Sequence, residues 1–204
     1  MIRNVVFDMG NVLVAYDENR TCRQFMEEGT EEYDRVKAAV FGSQEWVLLD
    51  MGVITEEEGL RRMQNRLTRE REKELAKQCF LHWHEFCMWT VEGTDQLIRE
   101  LKEKGYGIYL CSNASVRLLI CYRKFIPAVD CFDGILFSAE EKLLKPQKEI
   151  YQRLFERFNL KPEECFFVDD LQLNIDGAAA CGMKGCCHKK TDVQTLREEL
   201  AFLL

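Results

Sequence analysis

The sequence predicts an α/β fold: a Rossmann-like, doubly wound parallel sheet with an inserted helical bundle. Short apolar runs recur along the chain, and helical periodicity follows each of them. One block, residues 16–89, holds several helix patterns and no convincing strand. Residues able to do chemistry sit just past the apolar runs, where the strands of a parallel sheet end on one edge.

The apolar runs are Val5 to Met9, Ile108 to Cys111, Gly134 to Phe137, Cys165 to Val168 and Gly185 to Cys187. Ahead of the second run, Leu97, Ile98 and Leu101 form a helical stripe, with Thr94 as the expected N-cap and Gly105 as the stop. A helix after Ser115 carries Leu118, Leu119 and Tyr122 and stops before Pro127. Ile150, Leu154, Phe155 and Phe158 mark another, and Asn174 to Cys181 the next, ended by Gly182. Thr191 and Gln194 read as a capping box that opens the final helix. Alternation of strand and helix means a mostly parallel sheet. In the block 16–89, Thr55-Glu56-Glu57-Glu58 opens a helix whose apolar positions are Leu60, Met63 and Leu67, and a long charged helix runs on from Arg69. The expected division is therefore residues 1–15 plus 90–204 as an α/β core and 16–89 as a helical cap over the strand tips, where it would exclude water and select substrate.

Composition narrows the function. The chain has 204 residues, 47% hydrophobic and 31% charged, which suits a soluble domain with a sizeable core. Net charge is −7 and the basic residues are scattered, so a nucleic-acid partner is not expected. No apolar stretch is long enough for a membrane span, and the N-terminus lacks the pattern of a signal peptide. Ten cysteines include no Cys-x-x-Cys, and Cys186 and Cys187 are adjacent, which suits neither a zinc clamp nor an ordinary disulfide. Reduced, structural thiols imply a cytoplasmic location. Only three histidines exist, so no histidine metal site is expected. The oligomeric state has no signal in the sequence.

The expected strand ends carry Asp8, then Ser112 and Asn113, then Lys145 before Pro146, then Asp169 and Asp170. Carboxylates at one edge make a hard oxygen site suited to Mg²⁺, which prefers to share its ligands with a phosphate. A hydroxyl and backbone N–H groups at a helix start can hold phosphate oxygens, and a lysine supplies a point charge to neutralise them. Each group also has a structural use. Asp8 or the acidic pair can shape a turn, Ser112 or Asn113 can cap a helix, and Lys145 can sit in solvent. Taken together they describe phosphoryl transfer to an aspartate nucleophile.

The segments Phe7-Asp8-Met9-Gly10-Asn11-Val12-Leu13, Tyr109-Leu110-Cys111-Ser112-Asn113, Lys145-Pro146 and Phe167-Val168-Asp169-Asp170, with Asn174 following, resemble the four motifs of the haloacid dehalogenase-like superfamily. The insertion between the first two resembles a C1-type helical cap, and the pattern is most similar to the glucose-1-phosphatase-like (YihX-type) branch. The resemblance implies that Asp8 attacks phosphorus and binds Mg²⁺, that Gly10 gives the metal its carbonyl, and that Asp170 is a direct metal ligand. Asp169 is then a ligand or a support to one. Ser112 and Asn113 would bind phosphate, Lys145 would balance its charge, and Asn174 would support the metal site. Trp46, His82, Trp83 and His84 either line the substrate side of the cap or fill its core. The activity implied is a Mg²⁺-dependent phosphatase of a small phosphorylated metabolite, with a sugar phosphate as the leading substrate.

One position departs from the pattern. Most phosphatases of the superfamily carry a second acid two residues after the nucleophile, where this chain has Gly10. General acid–base help is worth about 10²–10⁴-fold, so another group is needed, a metal-bound water, Asp17 or a cap residue. The missing acid keeps two alternatives open: a phosphate-binding regulatory protein with little turnover, and a metal-free 2-haloacid dehalogenase. The paired Asp169 and Asp170 argue against the dehalogenase, since a metal-free site has no use for adjacent carboxylates.

Overall fold

The computed structural model describes residues 1–204. Seven strands are present: β1 (Asn4–Phe7), β2 (Val14–Tyr16), β3 (Met88–Thr90), β4 (Gly107–Ser112), β5 (Gly134–Phe137), β6 (Cys165–Asp169) and β7 (Lys184–Cys187). Five of them form a parallel sheet in the order β5-β4-β1-β6-β7, while β2 and β3 pair antiparallel in a separate ribbon. Eleven helices complete the chain: α1 (Glu18–Phe25), α2 (Glu31–Val40), α3 (Glu45–Asp50), α4 (Glu56–Gln64), α5 (Glu70–Phe86), α6 (Thr94–Glu103), α7 (Val116–Cys121), α8 (Ser138–Glu141), α9 (Lys148–Phe158), α10 (Gln172–Ala180) and α11 (Val193–Glu199).

The two-residue period of β1 explains the layering. Val5 and Phe7 face a cluster containing Leu97, Ile98 and Leu101 of α6, Leu118 of α7 and Leu196 of α11. Val6 faces the opposite cluster, with Ile150, Tyr151 and Leu154 of α9 and Ile175 and Ala178 of α10. Buried on both sides, β1 reads as an unbroken apolar run, as central parallel strands do. It pairs with β4 (Phe7↔Leu110) and with β6 (Phe7↔Val168). The chain builds outward through β4 and β5, then returns to place β6 on the other side of β1. That reversal makes β1/β6 the switch point, whose carboxyl edge is the ligand position of open α/β sheets. Asp8 follows β1 there, and Asp169 ends β6.

Helices α1 to α5 share their own apolar cluster, including Tyr33, Val36, Leu49, Met63 and Phe80. The α5 end, Trp83 and Cys87, joins the cluster of the sheet instead, which fixes the bundle above the strand tips. The ribbon of β2 and β3 closes the base of the insertion, with Val14 opposite Thr90 and Tyr16 opposite Met88. Each of its strands is three residues long and their pairing is distant, so no periodicity announces it.

Several caps differ from expectation. Thr94 lies inside α6 and donates its hydroxyl to the Val91 carbonyl (2.6 Å), while Gly93, at φ +82°, is the N-cap. The last helix is capped by Asp192, whose side chain accepts from Thr195 N–H (2.8 Å), rather than by Thr191 with Gln194. A carboxylate one residue on outcompetes the Thr hydroxyl. Thr55 does cap α4, accepting from Glu58 N–H at 3.1 Å. The Glu58 carboxylate turns to Arg61 and Arg62, so the box is one-sided. No helix is long and apolar enough to cross a membrane.

Candidate active site

Asp8 leaves β1 with its N–H bonded to the Val168 carbonyl (2.8 Å), which ties the two strands at the switch point. The chain then turns sharply: Leu13 and Val14 N–H both donate to the Met9 carbonyl, and Asn11 adopts φ +56°. Asn tolerates that left-handed conformation better than most residues. The turn points the Asn11 amide at the end of β6, where Nδ2 donates to Asp170 Oδ2 (3.0 Å).

Lys145 is buried between two carboxylates. Its Nζ lies 2.6 Å from Asp169 Oδ2 and 2.8 Å from Asp8 Oδ1. The approach to Asp8 is off the hydrogen-bonding direction, so this buried oxygen is an ion-pair neighbour without a hydrogen-bond donor. The second oxygen of Asp169 accepts from Leu171 N–H and from Asn174 Nδ2, both at 2.9 Å. Asp169 is thereby fully used in fixing the lysine and the β6–α10 turn. Asn113 acts on the same lysine from the β4 side. Its Oδ1 accepts from Lys145 N–H (2.8 Å) and its Nδ2 donates to the Lys145 carbonyl (3.1 Å). Ser112, 2% exposed, closes the end of β4.

The electrostatics follow from burial. Desolvation disfavours the charge of Asp8, Lys145 opposes that and Asp169 reinforces it; the net effect pushes its carboxyl up to about 6. Burial disfavours the Lys145 charge as well, but Asp8 and Asp169 outweigh it and hold the ammonium above its ordinary range. Ligand oxygens of Asp8, Asp169 and Asp170 all lie within 4.8 Å of one another. One ammonium against three carboxylates leaves excess negative charge, and one buried Asp8 oxygen lacks a donor. An all-oxygen set of this kind fits a hard divalent cation such as Mg²⁺.

A cavity of about 380 Å³ opens over these groups. Its floor is Asp8, Gly10, Asn11, Ser112, Asn113, Lys145, Asp170 and Asn174, and its roof is Tyr16, Phe41, Trp46, Asp50, Trp83 and Met88. The structure thus brings every sequence-predicted site residue except the enclosed Asp169 to one opening. Trp46 and Trp83 pack edge-to-face with centroids 5.2 Å apart, and Trp46 Nε1 is anchored to the Val40 carbonyl (2.7 Å). His82 pairs with Glu85 (3.2 Å), and neither it nor His84 lines the cavity. Asp17 is spent as the N-cap of α1, accepting from Asn19 N–H (2.9 Å). Sequence reasoning did not single out Asn11, Tyr16, Phe41, Asp50 or Met88. Only Asn11 carried a local signal, the Gly-Asn turn dipeptide.

A parallel sheet with acids at its switch point and helices inserted after the first strand defines a class of hydrolase. The chain matches the haloacid dehalogenase-like hydrolase family over residues 2–182 and belongs to it. It is 27% identical to D-ribitol-5-phosphate phosphatase of Bacteroides thetaiotaomicron over 181 residues, 86% of each chain. A shorter segment of 89 residues is 36% identical to sesquiterpene phosphatase astK of Aspergillus oryzae, covering 44% of this chain and 45% of that one, so the match spans less than half of that relative. In fold it is similar to a crystal structure of a haloacid dehalogenase family enzyme from Bacteroides thetaiotaomicron in complex with magnesium and inorganic phosphate. The TM-score is 0.73, with 23% identity, over 93% of this chain and 95% of that one.

Proposed function

We propose that this chain is a Mg²⁺-dependent phosphatase of a small phosphorylated metabolite, acting through an aspartyl-phosphate on Asp8. The observation that carries the reading is the Asp8 carboxylate, buried at a cavity floor with one oxygen 2.8 Å from the Lys145 ammonium. Lys145 offsets part of the desolvation of this carboxylate, and a carboxylate with an available lone pair facing the cavity is what a nucleophile requires. Asp8, the Gly10 carbonyl and Asp170 would hold the Mg²⁺, with Asp169 behind them. When bound, the ion would offset the excess carboxylate charge and share its remaining positions with phosphate oxygens. Lys145 faces the phosphoryl group with its charge, Ser112 and the Asn113 backbone hold phosphate oxygens, and the Asn113 side chain keeps the lysine in register. The roof excludes water while phosphorus is transferred.

Residues 16–89 serve as the cap in this reading, and their position between the first and second motifs supports the C1 type. The segments Asp8-Met9-Gly10-Asn11-Val12 and Leu144-Lys145-Pro146 support the glucose-1-phosphatase-like branch. That branch, together with the D-ribitol-5-phosphate phosphatase relative, supports a sugar phosphate as substrate. The roof supports a second reading. Phe41, Trp46, Trp83 and Met88 make it aromatic and apolar, and Lys145 is the one cation in the cavity. Such a wall favours a monophosphate whose organic part is uncharged and apolar, the kind of ester that the astK relative's name implies. Nucleotides and bisphosphates find no second cation here.

Purified protein is expected to release phosphate from p-nitrophenyl phosphate and from members of a panel of sugar and prenyl phosphates when Mg²⁺ is present. EDTA should abolish the release, and Asp8→Asn should lower it by at least about 10³-fold. Turnover that survives Asp8→Asn overturns the mechanism. Chloride release from 2-chloropropionate without metal would favour the dehalogenase alternative instead.

A further inference from the structure

The family's usual proton donor is replaced by Gly10, and the space it would occupy is open: a Cβ built on Gly10 meets nothing within 4 Å. A phosphatase at this site still needs a proton for the leaving oxygen and a base for the attacking water. Five ionisable side chains line the cavity: Asp8, Tyr16, Asp50, Lys145 and Asp170. Asp8 and Asp170 face the metal position, Lys145 is locked between Asp8 and Asp169, and burial raises the Tyr16 phenol far above neutrality. Asp50 is left.

We propose that Asp50, on the α3 end of the helical insertion, is the general acid and base of this enzyme, in place of the absent acid at position 10. The assignment rests on the phosphatase reading above. Its first support is placement, since Asp50 opens on the same cavity as Asp8 and Gly10. Its second is rigidity. The Asp50 carbonyl accepts a hydrogen bond from Ser138 Oγ, and the same Oγ accepts from Ala114 N–H (2.8 Å), two residues past Ser112. Two residues beyond Asp50, Gly52 at φ +67° lies so close to the core that a Cβ would meet the Ala139 carbonyl oxygen at 2.3 Å. Both contacts seat the end of α3 on the strand tips, so Asp50 is held at the site by the core rather than carried freely by the insertion. Its third support is chemical. Burial alone pushes the Asp50 carboxyl up to about 7, and no charged group on the neighbouring β2, α4 or α8 contributes. A carboxyl near neutrality can give a proton in one step and take one in the next.

In the first half-reaction an Asp8 oxygen bonds to phosphorus, the ester P–O bond breaks, and the leaving oxygen takes the Asp50 carboxyl proton to depart as an alcohol. In the second, a water oxygen bonds to phosphorus as Asp50 carboxylate takes a water proton. The bond between phosphorus and Asp8 breaks, freeing inorganic phosphate and restoring both side chains.

The test compares wild type, Asp50→Asn, Gly10→Asp and the Asp50→Asn/Gly10→Asp double variant on p-nitrophenyl phosphate and on a simple alkyl phosphate, with Asp8→Asn as the inactive control. Asp50→Asn lowers kcat on the alkyl phosphate about 10²-fold with little change in KM. The single-turnover release of p-nitrophenol, a good leaving group, falls far less. Adding Gly10→Asp restores at least tenfold of the lost kcat, because it returns a carboxyl to open space. Unchanged kcat in Asp50→Asn overturns the assignment and leaves the phosphatase reading standing. So does a loss that is equal for both leaving groups and not recovered by Gly10→Asp, which marks Asp50 as structural. A wild type inactive on every phosphate overturns the phosphatase reading, and this assignment with it.

Discussion

Asp50 should cost the folded chain stability, and that cost is measurable. Its carboxyl is raised from 3.8 to about 7 by burial, so the native state favours the protonated form. The sign follows by linkage: below about pH 4 both states are protonated and no penalty exists. Between about pH 4 and pH 7 the unfolded chain gives up this proton while the native state keeps it, so the native state loses stability across that window and the penalty is complete above it. Asp50→Asn should remove that loss: its thermal stability should equal that of wild type near pH 3 and exceed it by about 2 kcal/mol above pH 7, the partial exposure of Asp50 screening the rest of the penalty. Equal stabilities at both pH values would show that the carboxylate is well solvated. Lys145 is the opposite case. Its charge is required by two buried carboxylates, and Lys145→Met leaves Asp8 and Asp169 facing each other unpaired, with about 3 kcal/mol or more lost at neutral pH in denaturant unfolding.

At the scale of elements, the insertion is fastened to the core at few points, and these decide how the cavity is roofed. Arg117 of α7 makes a two-pronged ion pair with Glu56 of α4, both bonds at 2.8 Å and both residues partly buried. With Gly52 against Ala139 and Ser138 on Asp50, it holds α3 and α4 down on the strand tips. Arg117→Ala should loosen this roof while leaving the catalytic floor intact. Expected are faster amide exchange in residues 45–64, a KM raised several-fold, and a loss of about 1 kcal/mol, since the pair is only partly desolvated. Unchanged exchange in that segment would assign the docking to the Gly52 contact alone. The helices of the core and α4 and α5 of the insertion were legible from their local apolar stripes, whereas α1, α2, α3 and the one-turn α8 were not placed individually. The β2–β3 ribbon was not legible either, because two three-residue strands separated by the whole insertion leave no periodic trace.

Across the whole molecule, the proposed metal site would couple ion binding to folding. Asp8 and Asp170 come from opposite sides of the switch point, so an ion held between them clamps β1 to β6. At about one hundred times its Kd, Mg²⁺ should stabilise the fold by about 2.7 kcal/mol and raise Tm by about 5–10 °C for a chain of this size. Asp170→Ala should lose that response while remaining folded. A Tm that ignores Mg²⁺ in the wild type would contradict the metal assignment. The convergence that makes this possible depends on the crossover from β5 back to β6, a property of topology rather than of any segment.

The sequence by itself determined the sheet, the insertion and the residues on the strand tips. Each of these rests on local chemistry: apolar runs form buried strands, and Asp8, Ser112, Lys145, Asp169 and Asp170 each directly follow, or lie between, such runs. It also exposed the gap at Gly10. Tertiary structure alone decided what could fill that gap. Asp17, near the nucleophile in sequence, is consumed as a helix cap, whereas Asp50 is carried to the cavity by helix docking. It also divided the acidic pair, bonding Asp169 fully to Lys145, Leu171 and Asn174 while leaving Asp170 to the opening. Burial and long-range packing set those roles, and neither is written in the spacing of residues along a chain.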